Sequence, residues 1–250
     1  MSKLEVVFLG TNGWFDTATG NTICTLIKSN EANIILDAGI GIYKFDQYAS
    51  LDKPLFIFLS HLHLDHLFGF HIFNKFKFKE AVNIIVPRGM KKHLLRLVNN
   101  PFTIPFSELP FKVLVKEAKG EFNFPFFRVK QFQLRHSGGS YGYRFEFGDK
   151  IISYCPDTGY CKNAINLARN ADLLISESAF LIKPSSAKWG HLIPEDAANI
   201  AKKAKVGRLV LTHFDSEAYK SFDDRKSALK RAASIFKNSS IANDGLRVNL

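Results

Sequence analysis

The segment SHLHLDH occupies positions 60–66, directly after the apolar segment 55–59. Its side chains capable of binding a metal are His61, His63, Asp65 and His66. Imidazoles and a carboxylate at the end of a buried strand are costly to pack unless a metal or hydrogen bonds satisfy them. His61 and His63 can point the same way from an extended segment, whereas Asp65 and His66 turn into the following segment. One metal could not comfortably use all four, so the spacing suggests two adjacent sites.

This run resembles the HxHxDH signature of the metallo-β-lactamase superfamily. Other positions expected in that family follow in the right order, and they are Asp37, His136, Asp157 and His213. Alone, each would be weak, because a His or Asp after a strand is more often structural than catalytic. The resemblance spans roughly residues 5–215. It implies an α+β fold, a four-layer αββα sandwich, and we expect residues 1–250 to form a single domain.

The resemblance also implies two divalent cations, each held by three residues. These sets are His61, His63 and His136 for the first cation, and Asp65, His66 and His213 for the second. Asp157 would bridge the cations, and Asp37 would orient a ligand rather than bind metal. Nitrogen and oxygen ligands suit Zn²⁺ best, with Mn²⁺ and Fe²⁺ as alternatives. Such a pair shares a bridging hydroxide, which provides a nucleophile at neutral pH.

The sequence differs from the usual pattern of several branches of the superfamily, and each difference argues against one branch. The best-known zinc β-lactamases carry a cysteine at the position of Asp157, which argues against β-lactam cleavage. Flavodiiron oxygen reductases usually have an acidic residue at the position of His63, so this sequence resembles them less closely. Glyoxalase II enzymes carry a C-terminal substrate domain, and the 37 residues after His213 can supply one or two helices but not a domain.

The segments LLISESAF and WGHLIPEDAANIAKKAKVGRLVLTHF resemble the ribonuclease Z and compact phosphodiesterase branch. In that branch an acidic residue and a histidine complete the site, and Glu177 and His191 match these positions. An imidazole near a scissile phosphate can act as an electrostatic clamp and as an acid. Glu177 could hold His191 in the useful tautomer and raise its pKa. We therefore expect Asp65, Glu177 and His191 to act in catalysis, the alternative being a helix-start histidine with no such role.

The favoured function is a dinuclear metal-dependent hydrolase, a phosphodiesterase for nucleotides, small phosphodiesters or nucleic-acid ends of RNA or DNA. Ribonuclease Z enzymes usually carry a long arm between the positions of His136 and Asp157 that grips transfer RNA. This interval is only 21 residues here, which makes transfer RNA processing doubtful. Two alternatives stay open: a thioester or lactone hydrolase on the same fold, and a non-catalytic nucleic-acid-binding module.

The charge balance keeps nucleic acid among the candidate partners. The chain has 34 Lys and Arg against 23 Asp and Glu, a formal net charge of +11. Seven basic residues form a basic patch at 75–96: Lys75, Lys77, Lys79, Arg88, Lys91, Lys92 and Arg96. Such a patch could steer phosphates towards the site, although charge runs are usually solvated faces.

Aromatic residues are further candidates for contact with a substrate. Phe76 and Phe78 could stack on bases, but packing in an edge strand is favoured for both. Trp14 is a candidate for stacking on a substrate at the rim of the site.

The chain must position these groups with interleaved strands and helices. The sequence predicts strands over 5–9, 22–28, 33–37, 55–60, 82–86, 128–134, 141–147, 151–154, 173–176 and 208–212. It predicts helices over 64–73, 90–98, 162–169, 195–205 and 223–236. Three cysteines and no secretory signal favour reduced thiols. We expect a cytoplasmic protein that does not enter membranes, and a homodimer would be usual for the family.

Overall fold

The computed structural model describes residues 4–182 and 189–250. The strands of these residues are β1 (Glu5–Gly10), β2 (Asn12–Gly13), β3 (Cys24–Lys28), β4 (Asn33–Leu36), β5 (Leu55–Phe58), β6 (Val82–Val86), β7 (Val113–Glu117), β8 (Glu121–Asn123), β9 (Arg128–Leu134), β10 (Ser140–Phe147), β11 (Lys150–Cys155), β12 (Leu173–Glu177), β13 (Arg208–Thr212), β14 (Phe214–Asp215), β15 (Ser239–Ile241) and β16 (Arg247–Asn249). The α-helices are α1 (Phe45–Tyr48), α2 (Lys91–Leu97), α3 (Lys162–Ala168), α4 (Pro194–Ala204) and α5 (Phe222–Ile235).

Two mixed sheets form the centre of the molecule. Within the described residues the first has the order β16-β1-β3-β4-β5-β6-β7 and the second has the order β15-β13-β12-β11-β10-β9-β8. Strands β4 to β7 are mutually parallel, as are β11, β12 and β13. Because the carboxyl ends of parallel strands share one edge, the loops that follow them can converge on one site.

The apolar side chains form three layers of core. One cluster fills the space between the sheets, where Phe58 meets Tyr143 and Phe145 at ring-centroid distances of 5.3 and 5.0 Å. A second cluster lies under the helical segments of the first sheet, and a third lies between the second sheet and α3, α4 and α5. The predicted four-layer αββα sandwich is confirmed.

The predicted helix over 64–73 is wrong in type. Two short 3-10 helices, Leu64–His66 and Phe68–Lys75, stand in its place. The Ala38 N–H donates to the carbonyl of His66, and the Gly69 N–H donates to the carbonyl of Ala38. A Cβ atom on Gly69 would lie 2.4 Å from the Gly39 carbonyl oxygen. Because these groups bond across to the turn after β4, they cannot form an uninterrupted α-helical ladder.

Several edge strands were not predicted. They are β7 and β8, together with β15 and β16 in the tail, where the sequence suggested helices alone. These segments are short or only partly buried, so they lack the clear alternation of buried strands. The tail therefore supplies α5 and one edge strand to each sheet.

The region around the basic patch also differs from expectation. Phe76 and Phe78 lie outside any strand and are buried in the second core cluster, so their predicted edge-strand packing and their stacking on bases are both wrong. Lys75 pairs with Asp46 at 2.5 Å, and Lys79 pairs with Asp52 at 2.6 Å. The three cysteines are free thiols, as predicted. No helix among residues 4–182 and 189–250 is long and apolar enough to cross a bilayer.

Candidate metal centre

The predicted metal ligands and Asp37 all follow strands that end at one edge of the two sheets. Asp37 follows β4, and the run at 61–66 follows β5. In the second sheet His136 follows β9, Asp157 follows β11 and His213 follows β13. The fold thereby brings together predicted metal ligands as far as 152 positions apart in sequence, from His61 to His213.

His61, His63 and His136 form the first group, here called the imidazole cluster. Their ligand atoms and one from Asp157 all lie within 4.8 Å of one another. The His136 Nδ1–H faces the Gly190 carbonyl at 3.2 Å, which leaves Nε2 free to point at His63 Nδ1, 3.4 Å away. Burial lowers the pKa of all three imidazoles, so each ring is neutral at pH 7 and can offer a lone pair.

Asp65, His66 and His213 form the second group, here called the carboxylate cluster, and their ligand atoms also lie within 4.8 Å of one another. His66 Nε2 lies 3.1 Å from His213 Nε2. Burial opposes a charge on His66, but the carboxylates of Asp65, Asp157 and Asp37 outweigh it and hold the pKa well above its usual value. Burial likewise opposes ionisation of Asp65, yet His66 and His213 hold its pKa well below the usual range. This cluster therefore requires positive charge.

Asp157 lies between the two clusters and is almost fully buried. Its Oδ1 atom lies 3.4 Å from His66 Nε2 and 3.2 Å from His213 Nε2. Its Oδ2 atom lies 3.7 Å from Nε2 of both His61 and His136. One carboxylate oxygen thus faces each cluster, which is the arrangement that a bridging ligand needs.

The residues present fit a pair of divalent cations. The buried Nε2 atom of His61 has no hydrogen-bond partner among the described residues, which is costly for a polar atom away from water. Its Nδ1 atom lies 2.9 Å from Ser60 Oγ, and Ser60 in turn donates to Asp37. The proton of the neutral His61 ring therefore sits on Nδ1, and Nε2 is left as a lone pair. Neutral imidazoles and carboxylates are a donor set that Zn²⁺ and similar ions prefer.

Asp37 is fully buried and has the positive φ of 56°, which is uncommon for a residue with a side chain. Its Oδ1 accepts from the Ser60 N–H at 2.7 Å. Its Oδ2 lies 2.8 Å from His66 Nδ1 and accepts from the Tyr154 hydroxyl at 2.6 Å. In the neutral His66 ring, the carboxylate keeps the proton on Nδ1, so Nε2 faces the carboxylate cluster as a lone pair.

Glu177 and His191, the other predicted pair, are also brought together. Glu177 is fully buried, and its Oε1 lies 3.0 Å from His191 Nδ1. The backbone N–H groups of Thr158, Ala179 and Leu192 donate to the same carboxylate and fix it. Burial opposes protonation of His191, but Glu177 outweighs it and raises the pKa to about 9. The imidazolium lies 4.0 Å from Asp157 Oδ2, so a proton donor stands beside the cluster.

A cavity of about 730 Å³ opens over these groups. Much of its lining is apolar, and these residues are Trp14, Phe15, Leu64, Phe68, Ala179, Phe180 and Trp189. Trp14 therefore does lie at the site, whereas no residue of the basic patch lines the cavity among the described residues. Apart from Trp14, sequence reasoning missed this apolar lining.

Arg225 is a second residue that sequence reasoning missed. Its side chain is fully buried, and it donates to Thr11 Oγ1 at 3.0 Å and to Asn12 Oδ1 at 2.5 Å. Its guanidinium carbon lies 4.5 Å from the centroid of the Phe214 ring. Arg225 thus ties the loop after β1 to the residue after His213. An arginine in the amphipathic α5 gives no sequence signal for this contact.

Comparison with known proteins identifies relatives of the whole chain and of its fold. Residues 32–214 match the family model described as the beta-lactamase superfamily domain. The ribonuclease Z of Archaeoglobus fulgidus is 25% identical over 304 residues, covering 96% of this chain and 95% of the relative. The probable metallo-hydrolase YhfI of Bacillus subtilis is 27% identical over 216 residues, covering 84% and 86%. The crystal structure of B. subtilis YhfI has a TM-score of 0.84 at 23% identity and covers 100% of both chains.

The fold and the donor set define a metal-dependent hydrolase of the metallo-β-lactamase type. The family model covers most of the chain, and the chain belongs to the metallo-β-lactamase superfamily.

Proposed function

We propose that this protein is a dinuclear phosphodiesterase, with cations held by the imidazole cluster and the carboxylate cluster and bridged by Asp157. Two bound cations would supply a hydroxide nucleophile at neutral pH and would offset the charge on a phosphate oxygen. The predicted ligands are present, and their donor atoms converge. A non-catalytic module that had lost its activity would be expected to lack some of them.

His191 is the observation that carries the proposal for a phosphodiester. Its imidazolium, held by Glu177, lies beside Asp157 and is protonated at neutral pH. Departure of an alkoxide from phosphorus needs a proton, and a positioned acid contributes about 10²- to 10⁴-fold to such a step. A thiolate needs this help far less, because a thiol has a pKa near 8.5. His191 therefore favours an oxygen leaving group over a thioester.

The ribonuclease Z relative supports phosphodiester chemistry, although its size argues against the same substrate. An alignment over 304 residues leaves several dozen positions of that relative without a counterpart in this chain of 250. The interval between His136 and Asp157 is filled by the β10–β11 hairpin, which pairs tightly from Tyr143 and Tyr154 to its turn. No arm occupies this interval. A nucleotide, a small phosphodiester or the end of an RNA or DNA strand is the substrate class that we propose.

Hydrolysis of bis(p-nitrophenyl) phosphate, which releases a nitrophenolate, and of the dinucleotide thymidylyl-3′,5′-thymidine, which releases an alkoxide, tests the proposal. The purified protein, loaded separately with Zn²⁺, Mn²⁺ and Fe²⁺, is compared with the His191→Ala variant and with His93→Ala, an exposed histidine on α2 as the control. We expect metal-dependent turnover of both diesters. In His191→Ala the turnover of the dinucleotide should fall about 10²- to 10⁴-fold with both cations retained, whereas that of bis(p-nitrophenyl) phosphate should fall much less, because nitrophenolate leaves without a proton. His93→Ala should match the wild type.

Two results would contradict the proposal in different ways. Full turnover of the dinucleotide in His191→Ala would remove that residue from the chemistry. Two bound cations without any phosphodiester turnover would favour a carbonyl substrate, and a lactone would then be assayed first, because its alkoxide leaving group also needs a proton.

A further inference from the structure

The mouth of the cavity carries exposed aromatic side chains beside a buried polar site. Trp14 is 56% exposed and Trp189 is 57% exposed, and both line the cavity. Phe15 and Phe68 are 41% and 44% exposed in the same lining. Apolar groups gain stability when they are covered, so a concentration of them around a cleft marks a surface that a ligand covers.

Trp14 is held in place by its backbone. Its φ of 73° lies in the left-handed region, which a bulky residue rarely adopts. In this conformation its N–H donates to Asp65 Oδ2 at 2.8 Å, and its ring meets Phe15 edge-on at 5.2 Å. A conformational cost borne at a site of this kind is a reason to look for a function. The backbone of Trp14 serves the carboxylate cluster, while its indole remains exposed to the cavity.

Trp189 lies beside the other half of the centre. Its ring meets His63 of the imidazole cluster at 5.8 Å, and its carbonyl accepts from the Ser137 N–H at 3.2 Å. Trp14 thus adjoins the carboxylate cluster through its backbone, and Trp189 adjoins the imidazole cluster through its ring. Phe180 packs edge-on against His191 at 5.1 Å and adds a further ring to the same lining.

The charges of the lining limit how many phosphates a ligand can carry. Among the described lining residues the carboxylates are Asp65, Asp157 and Asp215, and there is no Lys or Arg. The remaining titratable side chains of that lining are the histidines His63, His191 and His213, and His191 already faces Asp157. Beyond the phosphate that binds at the metal centre, a second phosphate finds no basic partner in the described lining.

We propose that Trp14 and Trp189 form a binding site for a flat aromatic ring, so that the substrate is a small phosphodiester with one phosphate and a ring-bearing ester group. The ring is a nucleobase or an aryl group, and the inference rests on the proposed phosphodiesterase function. A ring stacked on either indole would cover the exposed apolar surface while the phosphate reaches the clusters.

Three diesters with the same p-nitrophenolate leaving group test this site on the metal-loaded protein. The other ester group is thymidine (through its 5′ oxygen), phenyl or ethyl. We expect a lower KM for the thymidine and phenyl esters than for the ethyl ester. The ratio of the KM values of the thymidine and phenyl esters shows whether the site prefers a nucleobase or an aryl ring. Trp14→Ala and Trp189→Ala should each raise KM for a ring-bearing ester about tenfold with little change in kcat or in the ethyl ester.

Phe126→Ala is the matched control, because Phe126 is 44% exposed and precedes β9, at the end of that strand opposite to His136. It should leave all three KM values unchanged. Unchanged KM values for all three esters in both tryptophan variants would overturn the aromatic site while leaving phosphodiester hydrolysis intact.

A binding measurement separates this inference from the proposed function. Trp14 and Trp189 are the two tryptophans of the chain, so the intrinsic tryptophan fluorescence reports on this site alone. Thymidine 5′-monophosphate or phenyl phosphate should quench it at concentrations where ethyl phosphate does not. Quenching without turnover of any diester would retain the aromatic site and refute the phosphodiesterase, and absence of quenching by both ring-bearing ligands would refute the site.

Discussion

The imidazole cluster and the carboxylate cluster use opposite electrostatics within one cavity. Burial holds His61, His63 and His136 neutral, and their ring nitrogens converge without help from a carboxylate of their own. In the carboxylate cluster, by contrast, Asp65 is ionised and the pKa of His66 is raised. The first cluster offers lone pairs, whereas the second also demands positive charge. Asp157, which presents one oxygen to each cluster, is where the two meet.

The difference teaches how one short motif can serve two sites. His61 and His63 belong to the first cluster, and Asp65 and His66 belong to the second. The chain changes from extended at His63 to a 3-10 helix at Leu64, and this change turns the last two side chains towards His213. The switch between the clusters is thus local, while the residues that complete each cluster come from the second sheet.

Asp157→Asn is expected to have the largest effect, because Asp157 faces both clusters and the substitution should weaken metal binding at both. An amide keeps the shape of the side chain but loses the charge and one of the two oxygens. We expect loss of both cations and a fall of turnover to background, measured by elemental analysis and by diester hydrolysis. Asp149→Asn, at the exposed turn between β10 and β11, is the control and should keep both. Two full equivalents of bound cation in Asp157→Asn would contradict a bridging role.

Substitution of one ligand in each cluster should separate them. His61→Ala and Asp65→Ala are each expected to lower the bound cations from two to one per chain, because each removes a donor from a single cluster. Turnover should fall to background in both variants if both cations act. Cation titration followed by calorimetry gives the stoichiometry, and an Asp65→Ala variant that still binds two cations would exclude the carboxylate cluster as a metal site.

Asp37→Asn should have a smaller effect, mainly on the carboxylate cluster, because its Oδ2 faces His66 directly. Loss of such an orienting contact weakens metal affinity about 10- to 100-fold. Competition with a chelator measures the affinity of each site. Tyr154→Phe, which removes one donor to the same oxygen, should cost about 1 kcal/mol of stability and change affinity less. Equal metal affinity in Asp37→Asn and in the wild type would show that Asp37 stabilises the fold without orienting a metal ligand.

The metal-binding run at 61–66 could be predicted from the residues alone, because it is a cluster of ligand types at the end of an apolar strand. His136, Asp157 and His213 were predicted only through the family resemblance, because a lone polar residue after a strand is a weak signal. The alternation of buried residues in β10 and the apolar β5 marked the sheets. The sequence pattern did not reveal the hydrogen bond from Tyr154 to Asp37, which joins residues 117 positions apart. Nor did it reveal the contact of Arg225 with Asn12. Long-range contacts of this kind follow from packing and leave no local signal.

The 3-10 segments and the exposed rim were missed for a different physical reason. The residues at 64–73 have the apolar content of a helix, but tertiary hydrogen bonds to the turn at Ala38 override that preference. Phe76 and Phe78 alternate with lysines as an edge strand would, yet their rings fill the core beneath the first sheet. Which aromatic residues lie in the core and which line the cavity therefore depended on the tertiary fold.

Anomalous diffraction at the zinc edge, from crystals of the Zn²⁺-loaded protein, tests the central claim most directly. The account predicts two peaks, one among His61, His63 and His136 and one among Asp65, His66 and His213, with Asp157 contacting both. A single peak, or two peaks that Asp157 does not join, would contradict it.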